Sequence, residues 1–209
     1  MIVGIILSAG ESKRMGTPKQ LLPWGNTIVL QHVVDVAAAS RLERVELILG
    51  ARAEEIAGRI TLPAKTLIAV NQDFREGMGS SVKCGIRNSP ADAKAFMLLL
   101  GDQPLIDVRV IDALLDAYRT VGHGIVIPVY NGRRGHPVIF AARYREELLS
   151  IGDQGAREVV KNHREDIGEV PMNVPEILVD MDTPQEYQNA KRQACENAHS
   201  LSVPSERKF

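Results

Sequence analysis

Cysteine is almost absent from this chain: Cys84 and Cys195 are the only two among 209 residues. Two thiols supply neither a disulfide framework nor a cysteine metal cluster, which sets aside the small stapled folds and the zinc modules together. An excess of one charge is missing too. Lys and Arg number 25 against 26 Asp and Glu, a formal net charge of -1, so the chain lacks the basic surplus of a dedicated nucleic-acid binder. No apolar run reaches the roughly 20 residues of a membrane span, and no basic, signal-like lead precedes the first one. The expectation is a cytoplasmic protein with neither nucleic acid nor membrane as partner. The 44% hydrophobic content is that of an ordinary globular chain, long enough for a real core.

Apolar runs suited to strands recur at 2–7, 45–49, 66–70, 95–100 and 124–129, with helix-like patterns between them at 28–40, 53–60, 78–88 and 108–121. Strands alternating with helices predict an α/β fold: a three-layer α/β/α arrangement around a mostly parallel sheet, with right-handed crossovers. The second half is less regular. A short strand is expected at 138–140, a helix at 152–163, a late strand at 177–179 and a last helix at 185–196. Residues 1–198 read as a single domain. The polar stretch 199–209, with Pro204, reads as a frayed or disordered tail.

Ligands of open α/β sheets sit beyond the carboxyl ends of the strands, and the first such end is distinctive. The first apolar run leads into Ser8-Ala9-Gly10-Glu11-Ser12-Lys13-Arg14-Met15-Gly16-Thr17-Pro18-Lys19. Small residues at Ser8, Ala9 and Gly10 let backbone N–H groups approach an anion closely, while Arg14 offers a planar fork and Lys19 a mobile point charge. That is a triphosphate cradle, yet it has neither the Walker spacing nor the three glycines of the dinucleotide fingerprint. Two acidic turns follow at strand ends. Gly101-Asp102-Gln103-Pro104 and Asp180-Met181-Asp182-Thr183-Pro184 offer carboxylates suited to Mg²⁺, which keeps waters and substrate phosphates in its shell. Each Asp also reads as a helix N-cap; taken with the first loop, Asp102 and Asp182 are candidate metal ligands and Asp180 is left open. Asn71 carries an amide suited to a base edge, and Ser80 and Ser81 open a helix with hydroxyls and free N–H groups.

The first loop resembles the signature of the nucleotidyltransferases related to the molybdenum cofactor guanylyl- and cytidylyltransferases, the MobA-like NTP transferase family, with Ser8 in place of a small Ala. Gly101-Asp102-Gln103-Pro104 and Gly135-His136-Pro137 are most similar to the cytidylyl-transferring branch, and the likeness runs to about Tyr187. The resemblance implies a Rossmann-like nucleotide-diphospho-sugar transferase fold. It implies transfer of a nucleoside monophosphate, CMP from CTP, to the phosphate of molybdopterin with release of pyrophosphate. It further implies Lys19, Arg14 and Asp102 as catalytic residues, and Ser8, Ala9, Gly10, Arg14, Lys19, Asn71, Ser80, Ser81 and Asp102 at the nucleotide. Mg²⁺ falls to Asp102 and Asp182. The acceptor falls to Arg133, Gly135, His136 and Pro137, with residues 152–157 resembling a second acceptor-side loop. A molybdoenzyme partner is part of this reading. Two rivals stand beside it: a guanylyl- or other nucleotidyltransferase acting on a sugar phosphate, polyol phosphate or similar small phosphate, and a non-catalytic molybdoenzyme cofactor-insertion partner.

Overall fold

The first apolar run becomes the central strand of one large sheet, because its Val and Ile residues are buried on both faces and must be covered by helices above and below. The computed structural model describes residues 1–202, with side chains to residue 196. In chain order the elements are β1 (Ile2–Ser8), β2 (Pro23–Trp24), β3 (Thr27–Ile28), α1 (Val29–Ala39), β4 (Arg44–Leu49) and α2 (Ala53–Ala57). Next come β5 (Thr66–Val70), α3 (Met78–Asn88), β6 (Ala95–Leu100), α4 (Val108–Thr120), β7 (Ile125–Tyr130) and β8 (Arg133–Arg134). The chain closes with β9 (Val138–Ala141), α5 (Arg145–Ser150), α6 (Arg157–Asn162), β10 (Ile167–Pro171) and α7 (Pro184–Ser202).

The sheet order is β10-β7-β9-β6-β1-β4-β5, with β8 on β7. β1 pairs in parallel with both β4 and β6, β5 with β4, and β10 with β7. β9 alone among the long strands runs antiparallel, between β6 and β7. From β1 the chain first winds outward to β4 and β5, then returns to the other side at β6. The order therefore reverses between β1 and β6, the place where an open sheet leaves a crevice at its carboxyl edge. Side chains alternate across the sheet. Ile2, Ile6, Leu47 and Leu99 pack under α1 and α4, while Val3, Ile5, Ile48, Phe96 and Phe140 pack under α3, α5 and α6. The layers are thus helix, sheet, helix.

The expected strand at 177–179 is not one: residues Pro175–Leu178 form a 3-10 turn. The edge position beside β7 is taken instead by β10, which the sequence conceals because Gly168 and Pro171 dilute its pattern. The expected helix at 152–163 begins only at Arg157, after a turn closed by the Gly155 N–H on the Gly152 carbonyl, 3.1 Å. The helix expected over 53–60 stops at Ala57. The helix expected at 185–196 runs longer, as α7 spans Pro184–Ser202. Its Gln, Ala, Lys, Arg and Glu residues are good helix formers, and the first Pro after the helix start is Pro204. The greater part of the tail expected over 199–209, positions 203–209, lies outside the described residues.

Candidate active site

The loop after β1 is held open by a single buried amide. Gln20 is almost wholly buried; its Nε2 donates to the carbonyls of Ser8 (3.3 Å) and Gly10 (3.2 Å), while its Oε1 accepts from the Ser12 hydroxyl, 3.2 Å. Ser12 Oγ in turn accepts from the Lys19 N–H, 3.2 Å. Gln20 thereby fixes both ends of the loop, a role that sequence reading missed because a Gln beside Lys19 carries no periodic signal. The backbone of Ser8, Ala9 and Gly10 lines a cleft of about 460 Å³ at the carboxyl ends of β1 and β6. The Ser8 hydroxyl does not serve it: Oγ is buried without a partner among the described residues. It lies against Gly101, where an added Cβ would stand 2.7 Å away, so only Gly fits there.

Opposite the loop, Lys19 Nζ bridges two carboxylates. It makes a short ion pair with Asp102 and a 3.0 Å one with Asp182, which also takes Arg14 Nη2 at 2.6 Å. Neither carboxylate is a helix cap. Asp107 caps α4 through the Val110 N–H, 3.1 Å. At α7, Thr183 Oγ1 accepts from the Glu186 N–H while Glu186 Oε2 accepts from the Thr183 N–H, a reciprocal capping box that leaves the Asp182 side chain free to face the cleft. Asp182 is positioned by packing: Met181 is buried with Trp24, Val29 and Tyr187, and the Tyr187 hydroxyl donates to the Pro23 carbonyl at 2.6 Å. Burial works against the Lys19 charge, but Asp102 and Asp182 outweigh it and raise its pKa. Burial pushes the Asp102 carboxyl up against the pull of Lys19, with Asp180 and Asp182 adding to the rise. The more open Asp182 also meets a desolvation cost, which Lys19 and Arg14 overcome to hold it low. Asp180 lines the same cleft and accepts from Gln103 Nε2 at 2.7 Å.

Other expected residues fall differently. Asn71 is buried behind the wall, its Nδ2 donating to the hydroxyls of Ser80 (2.8 Å) and Ser81 (3.1 Å) and its Oδ1 accepting from the Asp73 N–H. Its amide is occupied by α3; of these three residues, Ser81 alone lines the cleft. From the 133–137 segment only His136 does so. Arg133 and Arg134 stand exposed on β8, Arg134 pairing with Glu169 at 2.8 Å. Gly135 is there for space, since an added Cβ would come within 2.4 Å of the Ile177 carbonyl oxygen. Pro137 is buried and faces α1 and β6 residues away from the cleft. Burial lowers the His136 pKa and so favours the neutral imidazole; Asp180 opposes and Arg157 reinforces the shift.

A small-residue loop, a Lys between the carboxylate that follows β6 and the one that precedes α7, and a mixed sheet with β9 reversed meet at one crevice. Residues 4–167 match the family model of the MobA-like NTP transferase domain. The chain belongs to the MobA-like NTP transferase family. Among curated relatives it is 32% identical over 167 residues to nicotine blue oxidoreductase of Paenarthrobacter nicotinovorans, spanning 75% of this chain and 79% of that protein. It is 29% identical over 198 residues to molybdenum cofactor cytidylyltransferase of Escherichia coli strain K12, spanning 92% and 96%. The crystal structure of Rv0371c from Mycobacterium tuberculosis H37Rv superposes with a TM-score of 0.81 at 29% identity over 91% of this chain and 97% of that one. The same protein with manganese scores 0.79. The MobA-like fold here is the Rossmann-like nucleotide-diphospho-sugar transferase fold, and a nucleotidyltransferase is the enzyme class it carries.

The donor set of this MobA-like site fits a hard cation. Asp102, Asp180 and Asp182 line the cleft against Lys19 and Arg14, so the acidic side chains outnumber the basic ones at that end. Asp102 and Asp182 already converge on one ammonium. Among the described residues no group of three His, Cys, Asp or Glu is gathered tightly enough to hold a metal alone.

Proposed function

We propose that this MobA-like nucleotidyltransferase transfers CMP from CTP to the phosphate of a molybdopterin-type acceptor in the cytoplasm, releasing pyrophosphate and handing its product to a molybdoenzyme. The observation that carries the reading is Lys19 set between Asp102 and Asp182 at the mouth of the Ser8–Gly10 loop. Likeness over almost the full length to a molybdenum cofactor cytidylyltransferase supports the acceptor and the base. An acceptor phosphate oxygen attacks the α-phosphorus in line; its bond to phosphorus forms as the bond to the pyrophosphate oxygen breaks. The attacking oxygen is ionised at neutral pH, so catalysis is positioning and charge neutralisation rather than proton removal. Backbone at Ala9 and Gly10 cradles the triphosphate, Arg14 holds it, and Lys19 swings from its carboxylates to the charge growing at the α-phosphate. Mg²⁺, held by Asp102 and Asp182, would supply electrostatic stabilisation of the leaving pyrophosphate.

The test is pyrophosphate release with CTP and with GTP, each offered a pterin phosphate, a sugar phosphate and a polyol phosphate. CTP with the pterin should be preferred by orders of magnitude; preference for GTP overturns the base, and preference for a sugar phosphate overturns the acceptor. Asp102→Asn should lower turnover about 100-fold or more while the thermal midpoint moves little, because Lys19 keeps its contact with Asp182. Turnover near wild type at limiting Mg²⁺ removes Asp102 from the metal.

A further inference from the structure

The two acidic turns of the cleft come from segments that share no strand pairing among the described residues: 101–104, which follows β6, and 179–183, which leads into α7. The first is fixed by the sheet. The Gly101 N–H donates to the Leu7 carbonyl at 3.0 Å, and Gly101 is packed tightly on Ser8. The second spans two buried side chains, Ile177 and Met181, and exposes Asp180 to the cleft between them. Two polar ties cross from turn to turn. Lys19 bridges Asp102 and Asp182, and the almost wholly buried Gln103 donates its amide to Asp180 Oδ1 at 2.7 Å. The first tie is the one that nucleotidyl transfer undoes, since Lys19 leaves its carboxylates for the triphosphate. Asp180 and Asp182 each repel the charge on Asp102, so without the ammonium like charge pushes the turns apart.

We propose that Gln103 is a positioning residue: acting through Asp180, its amide holds the turn that carries Asp182 against the turn that carries Asp102 once Lys19 has moved to the nucleotide, so that both carboxylates stay on one divalent cation. This rests on the nucleotidyl-transfer reading and adds to it the group that keeps the cation site assembled during the reaction. A neutral amide suits the task. It donates to a carboxylate without competing for the cation's place, as Lys19 does, and a Glu in its position would add a fourth carboxylate to the three that line the cleft. Packing of Met181 fixes where α7 starts, but apolar contact is non-directional, whereas a hydrogen bond sets one distance and one angle. Gln20 does the same for the Ser8–Gly10 loop across the cleft. Asp180, which the sequence leaves open, is the handle of this device and not a ligand.

The experiment compares wild type with Gln103→Leu, Gln103→Glu, Asp180→Asn and the double variant Gln103→Glu/Asp180→Asn, which exchanges donor and acceptor at unchanged net charge. Mn²⁺ affinity is read at pH 8 by electron paramagnetic resonance with saturating CTP and with saturating GTP, without acceptor. Nucleotide affinity in a chelator is read by calorimetry. Gln103→Leu and Gln103→Glu should weaken Mn²⁺ at least about tenfold while metal-free nucleotide affinity stays within about twofold. Asp180→Asn keeps an acceptor for the amide and should stay within about threefold of wild type. The double variant should recover most of the loss, because the amide at 180 then donates to the carboxylate at 103. Failure of the double variant to recover overturns the action through Asp180. A loss in Asp180→Asn as large as in Gln103→Leu makes Asp180 a ligand and overturns the proposal. Equal losses of Mn²⁺ and metal-free nucleotide assign Gln103 to the shape of the cleft and overturn it too. Pyrophosphate release that fails with every acceptor, while Mn²⁺ still follows the Gln103–Asp180 pair, leaves the tie standing and removes nucleotidyl transfer instead.

Discussion

Ser8 shows how one residue contributes backbone to a site and little with its side chain. Its carbonyl is held by Gln20 and its main chain lines the cleft, but its hydroxyl is buried against Gly101 with no partner among the described residues. An unsatisfied buried hydroxyl costs about 1–3 kcal/mol. Ser8→Ala should therefore raise stability by about 1 kcal/mol in urea unfolding and leave triphosphate affinity unchanged; a loss of either shows that the hydroxyl has a function. Lys19 is the opposite case, a side chain whose whole value is charge. It stands where Asp102 and Asp182 would otherwise meet a metal. Lys19→Gln should bind Mn²⁺ in the absence of nucleotide about tenfold more tightly than wild type, because two close carboxylates lose their internal cation. Turnover should fall in the same variant. Unchanged Mn²⁺ affinity, read by electron paramagnetic resonance, would separate the ammonium from the metal position.

Among the elements, α7 does more for the site than its distance along the chain suggests. The capping box at Thr183 and Glu186 starts it, and Met181, Tyr187 and Ala190 dock it on Trp24 and Val29. That docking brings Asp182 to Lys19, 163 positions earlier in the chain. Tyr187→Phe removes the bond to the Pro23 carbonyl and keeps the ring. It should cost about 1 kcal/mol of stability and shift the Mg²⁺ dependence of turnover upward, since the carboxylate rides on the helix. An unaltered Mg²⁺ dependence would show that Asp182 is held without α7. The sequence pointed to this helix through Asp-Thr-Pro, but the capping box decides which side chain caps it: Glu186 takes the backbone N–H groups of both Asp182 and Thr183. Likewise α3 was legible as a helix with hydroxyls at its start, whereas its use of those hydroxyls to hold Asn71 was not.

At the scale of the molecule, the carboxyl edge of the sheet carries the cleft and the opposite edge carries a cluster that contributes to stability. Asp166, just before β10, accepts from the Gly124 N–H at 2.9 Å and from Tyr144 and Arg143, tying β7, β9 and β10 together. Burial works against its charge, but these donors outweigh it and hold its pKa at about 2 against an ordinary 3.8. A depressed carboxylate stabilises the fold fully above the unfolded pKa and loses that contribution as pH falls from about 4 to about 2. With Arg143 exposed, the contribution is discounted to about 1–2 kcal/mol. Asp166→Asn should cost that much at pH 7, the difference shrinking toward pH 2; a gap independent of pH would assign the loss to shape alone. By itself the sequence determined the strand and helix alternation and the small-residue loop after β1 with Lys19 and the two Asp turns, because hydrophobic periodicity and small-residue loops are local properties. Only the tertiary structure decided that β9 runs antiparallel and β10 takes the edge, that Asn71 faces inward and that Arg133 lies off the cleft while Arg157 lies on it. Those outcomes depend on which surfaces meet when the sheet closes, and a side chain's spacing along the chain does not fix which surface it will face.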